Sequence, residues 1–363
     1  MRSSRVNCLP NIALLKTEIL FTGTLSETWI MTKKVVVTGA TGHIGANLVR
    51  ALLAQGRPVR ALLHVNHRAV DGLEIEIANG DVCDLESLCH AFDGAEVVYH
   101  LAARISLSMG DWQLLQAVNI AGTRNVVEAC LRCGVRRLVH FSSIHALIQE
   151  PLDVPVDESR PMVESRRCPS YDRSKAAGEK EVRKGIERGL DAVIINPTGV
   201  IGPYDFEPSH FGVALVAIAC RKLPALVAGG FDWVDVRDVV VGAIRAEECA
   251  PTGAKYLLSG NWVSVADLAA LVEELTGAPT PRLVCPLWLA HVGAPFTVAF
   301  ARLSGGRPFF TSDSLRALKS NRNISHERAA RDLGYNPRPF RETVADTLRW
   351  FQENGYLGNS VKL

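Results

Sequence analysis

The sequence lacks any dense run of lysine or arginine, and its formal net charge at pH 7 is only +2. A near-neutral chain without a basic patch is a poor match for nucleic acid or an acidic membrane surface. Its nine cysteines are scattered along 363 residues, a length that needs no disulfide framework. We therefore expect reduced thiols, a cytoplasmic location and small molecules as partners.

A metal-binding signature is absent as well. Cys130 and Cys133 form a C-x-x-C pair, but no second cysteine or histidine pair follows at zinc spacing. The pair lies at the end of a helical pattern, which favours half-buried packing. The sequence therefore predicts no metal site.

The first 30 residues lack the features of a signal peptide, since no long apolar core precedes a small-residue cleavage site. Met31 is soon followed by the strand-like run KKVVVTG, a natural beginning for a fold. We expect residues 1–30 to be a disordered extension or the result of a mis-chosen translation start.

From Met31 onward, strand-like and helix-like patterns alternate. Apolar or β-branched runs such as KKVVVTGA, PVRALLH and AEVVYHLAA are separated by segments with apolar residues at helical spacing. Repeated βαβ units predict an α/β fold, a Rossmann-type doubly wound parallel sheet with helices on both faces. Ligands of such sheets bind beyond the carboxyl ends of the strands. Five residues directly follow predicted strands: Gly39, His64, Asp81, Ala102 and Ser143.

The first strand end carries the motif TGATGHIG, from Thr38 to Gly45. Glycines between a strand and a helix allow a tight turn and let the backbone approach a pyrophosphate that faces the helix N-terminus. The lysine and hydroxyl residue of a P-loop are absent, which makes a nucleoside triphosphate the weaker candidate. The predicted cofactor-binding residues of this motif are Gly39, Thr41, Gly42, His43, Ile44 and Gly45.

A second motif, SYDRSKAAGE, places Tyr171 one helical turn before Lys175. Residues four apart share a helix face, so the ammonium can lie near the phenol. A nearby cation favours the phenolate and would let the tyrosine exchange protons near neutrality. The spacing alone does not distinguish this acid/base pair from an exposed helix surface.

Several motifs in order make the sequence resemble an extended short-chain dehydrogenase/reductase. They are TGATGHIG, GDVCD, VVYHLAA, VNIAGTRNVVEAC, LVHFSSIHAL, YDRSK, NPTGVIGP and WVDVRDVVVG. This group includes nucleotide-sugar epimerases, dihydroflavonol reductases and 3β-hydroxysteroid dehydrogenases. The resemblance extends from Lys34 to about Trp350.

The resemblance implies roles for individual residues. Ser143 matches the catalytic hydroxyl that hydrogen-bonds the substrate oxygen, Tyr171 the acid/base, and Lys175 the residue that lowers the tyrosine pKa and holds the nicotinamide ribose. Asn119 is expected to order the edge of the sheet. The remaining implied cofactor contacts are Asp81 and Val82 at the adenine, Leu101, Ala102 and Ala103 beside the nicotinamide half, and Pro197 under the carboxamide.

The choice between NAD and NADP depends on the end of the second strand, RALLHVNHR. An acidic residue there would bind the ribose 2′-hydroxyl, whereas a cation favours a 2′-phosphate. No acidic residue is present, His64 stands where similar NADP-using reductases carry arginine, and Arg68 follows. We expect NADP, with NAD as the alternative.

The C-terminal half carries fewer motifs. KYLLSG is expected to add a late strand to the sheet. We expect residues 31–198 with 233–260 to bind the cofactor, and residues 199–232 with 261–350 to form a smaller, mostly helical domain that covers the substrate. The apolar segment 283–301 contains two prolines, a glycine and a histidine, which favours a pocket lid over a membrane span and leaves peripheral membrane contact open.

Three functions follow from these motifs. The first is an NAD(P)-dependent reductase or dehydrogenase acting on a carbonyl or secondary alcohol of a fairly apolar molecule. The second is a nucleotide-sugar epimerase with tightly bound NAD; a sugar dehydratase fits less well, because Ile144 and His145 replace the acidic pair of that group. The third is a cofactor-sensing binding protein. The family often forms homodimers through two long helices, here around 111–133 and 170–188.

Overall fold

The computed structural model describes residues 34–105, 111–294 and 312–358. Residues 1–30, predicted to be an extension, lie outside these ranges, as does the part of the predicted lid after residue 294. The described strands are β1 (Lys34–Thr38), β2 (Val59–Leu63), β3 (Glu76–Asn79), β4 (Ala95–His100), β5 (Arg137–Phe141), β6 (Ala192–Pro197), β7 (Gly199–Ile201), β8 (Leu226–Val227), β9 (Gly230–Asp235), β10 (Lys255–Leu258), β11 (Asn261–Ser264) and β12 (Val284–Cys285).

The helices alternate with these strands in the first two thirds of the chain and dominate its end. They are α1 (His43–Ala54), α2 (Leu85–Phe92), α3 (Trp112–Leu115), α4 (Thr123–Arg132), α5 (Ser170–Glu187), α6 (His210–Ala219), α7 (Val236–Cys249), α8 (Val265–Thr276), α9 (287–294), α10 (Ser312–Ala317), α11 (Glu327–Leu333) and α12 (Phe340–Glu353). A π-helical stretch, Gln116–Gly122, joins α3 to α4, and short 3-10 helices form at Arg68–Val70 and Ile144–Ala146.

Seven strands form one parallel sheet in the order β10-β6-β5-β4-β1-β2-β3. This confirms the predicted Rossmann-type sheet, and β10 is the late strand expected from KYLLSG. Strand β1 lies inside the sheet. Strands β2 and β3 extend the sheet on one side of β1, and the chain then crosses to the other side to form β4. The order reverses between β1 and β4. In open α/β sheets, the carboxyl ends of the strands at such a reversal are where ligands bind.

The alternating side chains of β1 supply the core on both faces of the sheet. Val35 and Val37 pack with Leu48 of α1 on one face, whereas Val36 packs with Val126 of α4 on the other. Because both faces are covered by helices, the strands read as nearly continuous apolar runs. This two-sided burial fixes the strand ends that carry the candidate site.

The C-terminal half contains more β structure than the sequence predicted. Strands β11, β9 and β7 form a three-stranded sheet, and β12 pairs with β8. These strands have two to six residues each, too few for a clear periodicity in the sequence. Over the described ranges, no helix is both long and apolar enough to cross a membrane.

Candidate active site

The glycine motif forms the turn between β1 and α1. Gly39 has φ +69°, and a Cβ atom at this position would lie 2.6 Å from the backbone nitrogen of Ala102. A Cβ atom at Gly45 would lie 2.1 Å from the carbonyl oxygen of Gly39. These two approaches require glycine, and the first of them keeps the loop against the segment after β4.

The N-terminus of α1 is available for an anion. Gly42 is the N-cap residue, so no side chain caps the helix, and the first turn contains no acidic residue. Backbone N–H groups at such an end favour negative charge. The narrow glycine loop and this helix end fit the pyrophosphate of a dinucleotide. The ring of His43 is engaged elsewhere, because its Nε2 lies 3.1 Å from the carbonyl oxygens of Gly202 and Pro203.

Thr38 joins the two strands at the crevice, a contact that the sequence analysis did not anticipate. Its hydroxyl lies 2.8 Å from Nδ1 of His100 and accepts the backbone N–H of Ala102 at 3.2 Å. The Thr38 carbonyl also accepts the N–H of Leu101. The segment after β4 is therefore held beside the glycine loop. Of the predicted nicotinamide-side residues, Leu101 and Ala102 are half-buried, Ala103 is exposed, and Pro197 is buried at the end of β6.

Ser143 and Tyr171 meet at the end of β5. Ser143 caps the short helix Ile144–Ala146, and its hydroxyl accepts the backbone N–H of His145 at 3.2 Å. The same side chain is hydrogen-bonded to the phenol of Tyr171. Pro169 precedes α5 and places Tyr171 in the first turn of that helix. Two hydroxyl groups therefore lie together where a carbonyl oxygen can be bound.

Lys175 contacts the strand rather than the phenol. Its ammonium donates a 2.7 Å hydrogen bond to the carbonyl oxygen of Phe141, the last residue of β5. Burial lowers the pKa of Lys175 to about 8, and Glu179 partly opposes this change. Lys175 thus lies one helical turn after Tyr171 on α5, and its ammonium is held at the end of β5.

The pKa of Tyr171 differs from the sequence prediction. Although the residue as a whole is only half-buried, burial raises the pKa of its phenol to about 12; the Ser143 hydrogen bond lowers it and the Asp172 charge raises it. The expected lowering by Lys175 is not found, because the ammonium is directed to the Phe141 carbonyl. In this geometry Tyr171 is protonated near neutral pH.

Asn119 connects two segments next to the site. Its amide accepts the backbone N–H of Arg104 at 2.7 Å and donates to the carbonyl of the same residue at 2.9 Å. It also donates to the hydroxyl of Ser174, which in turn donates to the carbonyl of Tyr171. The π-helical stretch around Asn119 therefore connects the segment after β4 to the first turn of α5.

The residues predicted to bind the adenosine half of the cofactor do not all lie together. His64 Nε2 lies 3.6 Å from Asp81 Oδ2; the His64 side chain is exposed and that of Asp81 is partly exposed. Val82 is buried, and its carbonyl accepts the amide of Asn125. Arg68, however, lies with its guanidinium 5.9 Å from the ring centre of Tyr356. Asp81, distant from His64 in sequence, thus brings an acidic group to the end of β2.

His145 and Asp172 add polar groups that sequence reasoning did not assign to the site. His145 Nδ1 lies 3.8 Å from Asp172 Oδ1, and the imidazole approaches the Tyr171 ring edge-on at 6.3 Å between centres. Their positions next to Ser143 and Tyr171 in the chain could have indicated this proximity. No cluster of three or more potential metal ligands occurs among the described residues.

The sheet order, the glycine turn and the Ser143–Tyr171–Lys175 group define a Rossmann-type protein of the dinucleotide-binding class. More particularly, the chain belongs to the NAD dependent epimerase/dehydratase family, whose family model matches residues 35–257. Its relatives confirm the predicted membership in the extended short-chain dehydrogenases/reductases.

Two relatives and one solved structure illustrate the similarity. Sterol demethylase protein B of Methylococcus capsulatus is 39% identical over 326 residues, which cover 89% of this chain and 99% of the relative. A putative dihydroflavonol 4-reductase of Synechocystis is 32% identical, with 91% and 98% covered. The crystal structure of gox2253 is 33% identical, with a TM-score of 0.79 over 90% of this chain and all of that one.

Proposed function

We propose that this protein is an NAD(P)-dependent reductase that converts a carbonyl group of a fairly apolar small molecule to a secondary alcohol. The observation that carries the proposal is the hydrogen-bonded pair of Ser143 and Tyr171 beside Lys175 at the end of β5. The names of the two relatives support an apolar substrate, since one is a sterol demethylase protein and the other a putative dihydroflavonol reductase.

In this mechanism the dinucleotide would be held by the glycine turn after β1, the N-terminus of α1 and Lys175, and when bound it supplies the hydride. Ser143 donates a hydrogen bond to the carbonyl oxygen of the substrate and so polarises the carbonyl. Tyr171, protonated near neutral pH, donates its phenolic proton to the same oxygen as negative charge develops there. Its raised pKa keeps the phenol protonated near neutral pH, which is the form that reduction requires.

The substrate side of the site is framed by the loop after Ser143 and by the C-terminal segment. Asn321 donates to the carbonyl oxygens of Gln149, Pro151 and Val154, and Arg316 donates to that of Arg167. These contacts connect the chain on both sides of Tyr171 to the region after residue 312. We infer that this region, with the division into cofactor and substrate domains given above, sets the shape of the pocket.

The direct test is a screen of apolar ketones and aldehydes in which the oxidation of NADPH and NADH is followed in parallel. The proposal expects turnover with at least one class of apolar carbonyl compound, and turnover that depends on Tyr171. The family description also supports a second function, nucleotide-sugar epimerisation. Purification with tightly bound NAD, together with interconversion of nucleotide sugars and no net redox change, would select the epimerase.

A further inference from the structure

A buried group of charges lies directly behind the candidate catalytic lysine. Glu179 is one helical turn after Lys175 on α5 and is fully buried. Its Oε1 lies 2.5 Å from the ammonium of Lys255, which is on β10 and also buried, and 3.1 Å from Arg183. Its Oε2 accepts the amide of Asn196 at 3.3 Å. One carboxylate therefore connects three elements of the fold beneath the site.

Asn196 fixes the orientation of this carboxylate relative to the site. The same amide nitrogen that reaches Glu179 donates a 2.9 Å hydrogen bond to the backbone carbonyl of Ser143. Asn196 lies in β6 and is fully buried. Glu179 is thus held by strand β6 on one oxygen and by Lys255 on the other, and its position is tied to that of Ser143.

Burying these charges is costly, since each loses its hydration. An apolar replacement of Glu179 and Lys255 would fill the same space without that cost, so stability alone does not account for the pair. Buried charges that perturb a neighbouring titratable group are typical of functional sites. The group that they perturb here is Lys175, whose pKa is lowered by burial and raised in part by Glu179.

Of the other titratable groups around Lys175, some are uncharged near neutral pH and the others are cations that contact Glu179. His100 on β4 and His140 on β5 are buried, and burial lowers the pKa of His100 to about 3 and that of His140 well below its usual value. Tyr171 is protonated near neutrality because its pKa is raised. Lys255 and Arg183 are cations that contact Glu179. Among the described residues, Glu179 is therefore the anion whose charge acts on Lys175.

We propose that Glu179 is a positioning residue, the buried counter-charge that keeps Lys175 protonated at working pH, and that Lys255 sets how much of this negative charge Lys175 experiences. This inference rests on the proposed function only in that the latter assigns Lys175 a role in binding the dinucleotide. Removing Glu179 removes a negative charge and should make Lys175 lose its proton at lower pH. Removing Lys255 removes a competing positive charge and should have the opposite effect.

The test is an NMR titration of the protein labelled with [ε-¹³C]lysine, in which the Cε shift reports the protonation of each amine. The Lys175 signal is identified by its loss in Lys175→Met. Relative to the parent, the Lys175 titration should move down by on the order of one pH unit in Glu179→Gln and move up in Lys255→Met. The titration is carried out without substrate or cofactor, so its result does not depend on whether the protein reduces a carbonyl compound.

Glu181 provides the matched control. It lies two residues after Glu179 on α5 and pairs with Arg124 at 2.9 Å and Lys184 at 2.8 Å, on the other side of the helix from this group of charges. Glu181→Gln should leave the Lys175 titration within about 0.2 pH units of the parent. The double variant Glu179→Gln with Lys255→Met removes both charges of the pair, so that neither is left buried without the other. It serves as the test if the single Glu179 variant does not fold.

The double variant should titrate at lower pH than Lys255→Met, because only the former lacks the carboxylate. The proposal is overturned if Glu179→Gln leaves or raises the Lys175 titration, if Lys255→Met fails to raise it, or if Glu181→Gln moves it as far as Glu179→Gln does. It is also overturned if the double variant and Lys255→Met titrate together. The opposite shifts of the two single variants are an effect that loosened packing alone would not produce.

Discussion

The ammonium of Lys175 donates a 2.7 Å hydrogen bond to the backbone carbonyl of Phe141. This contact ties helix α5 to the end of strand β5 and directs the cation away from the phenol of Tyr171. Ionisation of Tyr171 is consequently governed by burial and by Ser143, and the phenol keeps its proton near neutral pH. The two residues lie one helical turn apart, but the ammonium contacts the carbonyl of Phe141 and the phenol contacts Ser143.

The first prediction concerns the stability cost of Lys175. Its pKa of about 8 lies below the usual 10.5, so between these values the unfolded chain binds more protons and stability rises with pH. The loss of folding stability caused by burying the charged amine of Lys175 is therefore fully present below pH 8. Lys175→Met should raise the free energy of unfolding by about 1–3 kcal/mol at pH 7, and by less at pH 9.5. Urea unfolding at both pH values measures this.

The exposed Lys222 is the matched control for that substitution. Lys222→Met should change the free energy of unfolding by no more than about 0.5 kcal/mol at either pH. A Lys175→Met protein that is less stable than the parent at pH 7 would mean that the Phe141 contact outweighs the cost of burying the charge.

The second prediction concerns the pH dependence of cofactor binding. If Lys175 contacts the nicotinamide ribose as a cation, affinity for NADPH should be full below pH 8 and should fall as pH rises through about 8. In Lys175→Met the affinity should be lower and should lose this step. Fluorescence titrations between pH 6.5 and 9.5 would reveal it, and the same step in both proteins would assign it to another group.

The third prediction concerns the choice of cofactor. NADPH should bind more tightly than NADH, although the Asp81 carboxylate beside His64 opposes this preference. The difference should shrink when His64→Ala and Arg68→Ala are combined. Because Arg68 lies over Tyr356, whereas His64 is exposed at the end of β2, His64→Ala alone should have the larger effect. Affinity for NADH serves as the internal control and should change little. Equal affinities of the parent protein for the two cofactors would refute the preference.

The fourth prediction separates backbone strain from close packing at the glycine turn. Gly39 and Gly56 have nearly the same positive φ, +69° and +70°, but a Cβ atom would meet Ala102 at Gly39 and nothing within 4 Å at Gly56. Each Gly→Ala change should cost about 1–2 kcal/mol through strain. Only Gly39→Ala should cost more than this and abolish cofactor binding. Similar losses of cofactor affinity in both variants would remove Gly39 from the cofactor site.

The sequence predicts the central sheet well because its strands are buried on both faces and appear as apolar runs. Gly39 and Ser143 were predicted as site residues from their positions at the ends of such strands and from the family resemblance. The contacts of Glu179 with Lys255 and Asn196 could not be found in this way, since they join α5 to strands 76 and 17 residues away and leave no periodic signal. The same holds for Lys175, whose partner is a backbone carbonyl that no side-chain pattern indicates.

The strands of the C-terminal half illustrate a second limit. β8 and β12 have two residues each, and their pairing is determined by the surrounding fold. Their register depends on contacts distant in sequence, which single-sequence patterns do not contain.

Proton donation by Tyr171 can be tested through the turnover of Tyr171→Phe. The substitution removes the hydroxyl and keeps the ring, so folding and cofactor affinity should match the parent. Tyr256→Phe is the matched control, because Tyr256 is a buried tyrosine on β10 whose hydroxyl lies 3.4 Å from Asp332 rather than in the site. On the best carbonyl substrate, kcat should fall by about 10²–10⁴-fold in Tyr171→Phe and stay within a few-fold of the parent in Tyr256→Phe. A Tyr171→Phe enzyme that turns over within a few-fold of the parent would contradict the account and place the proton donor elsewhere.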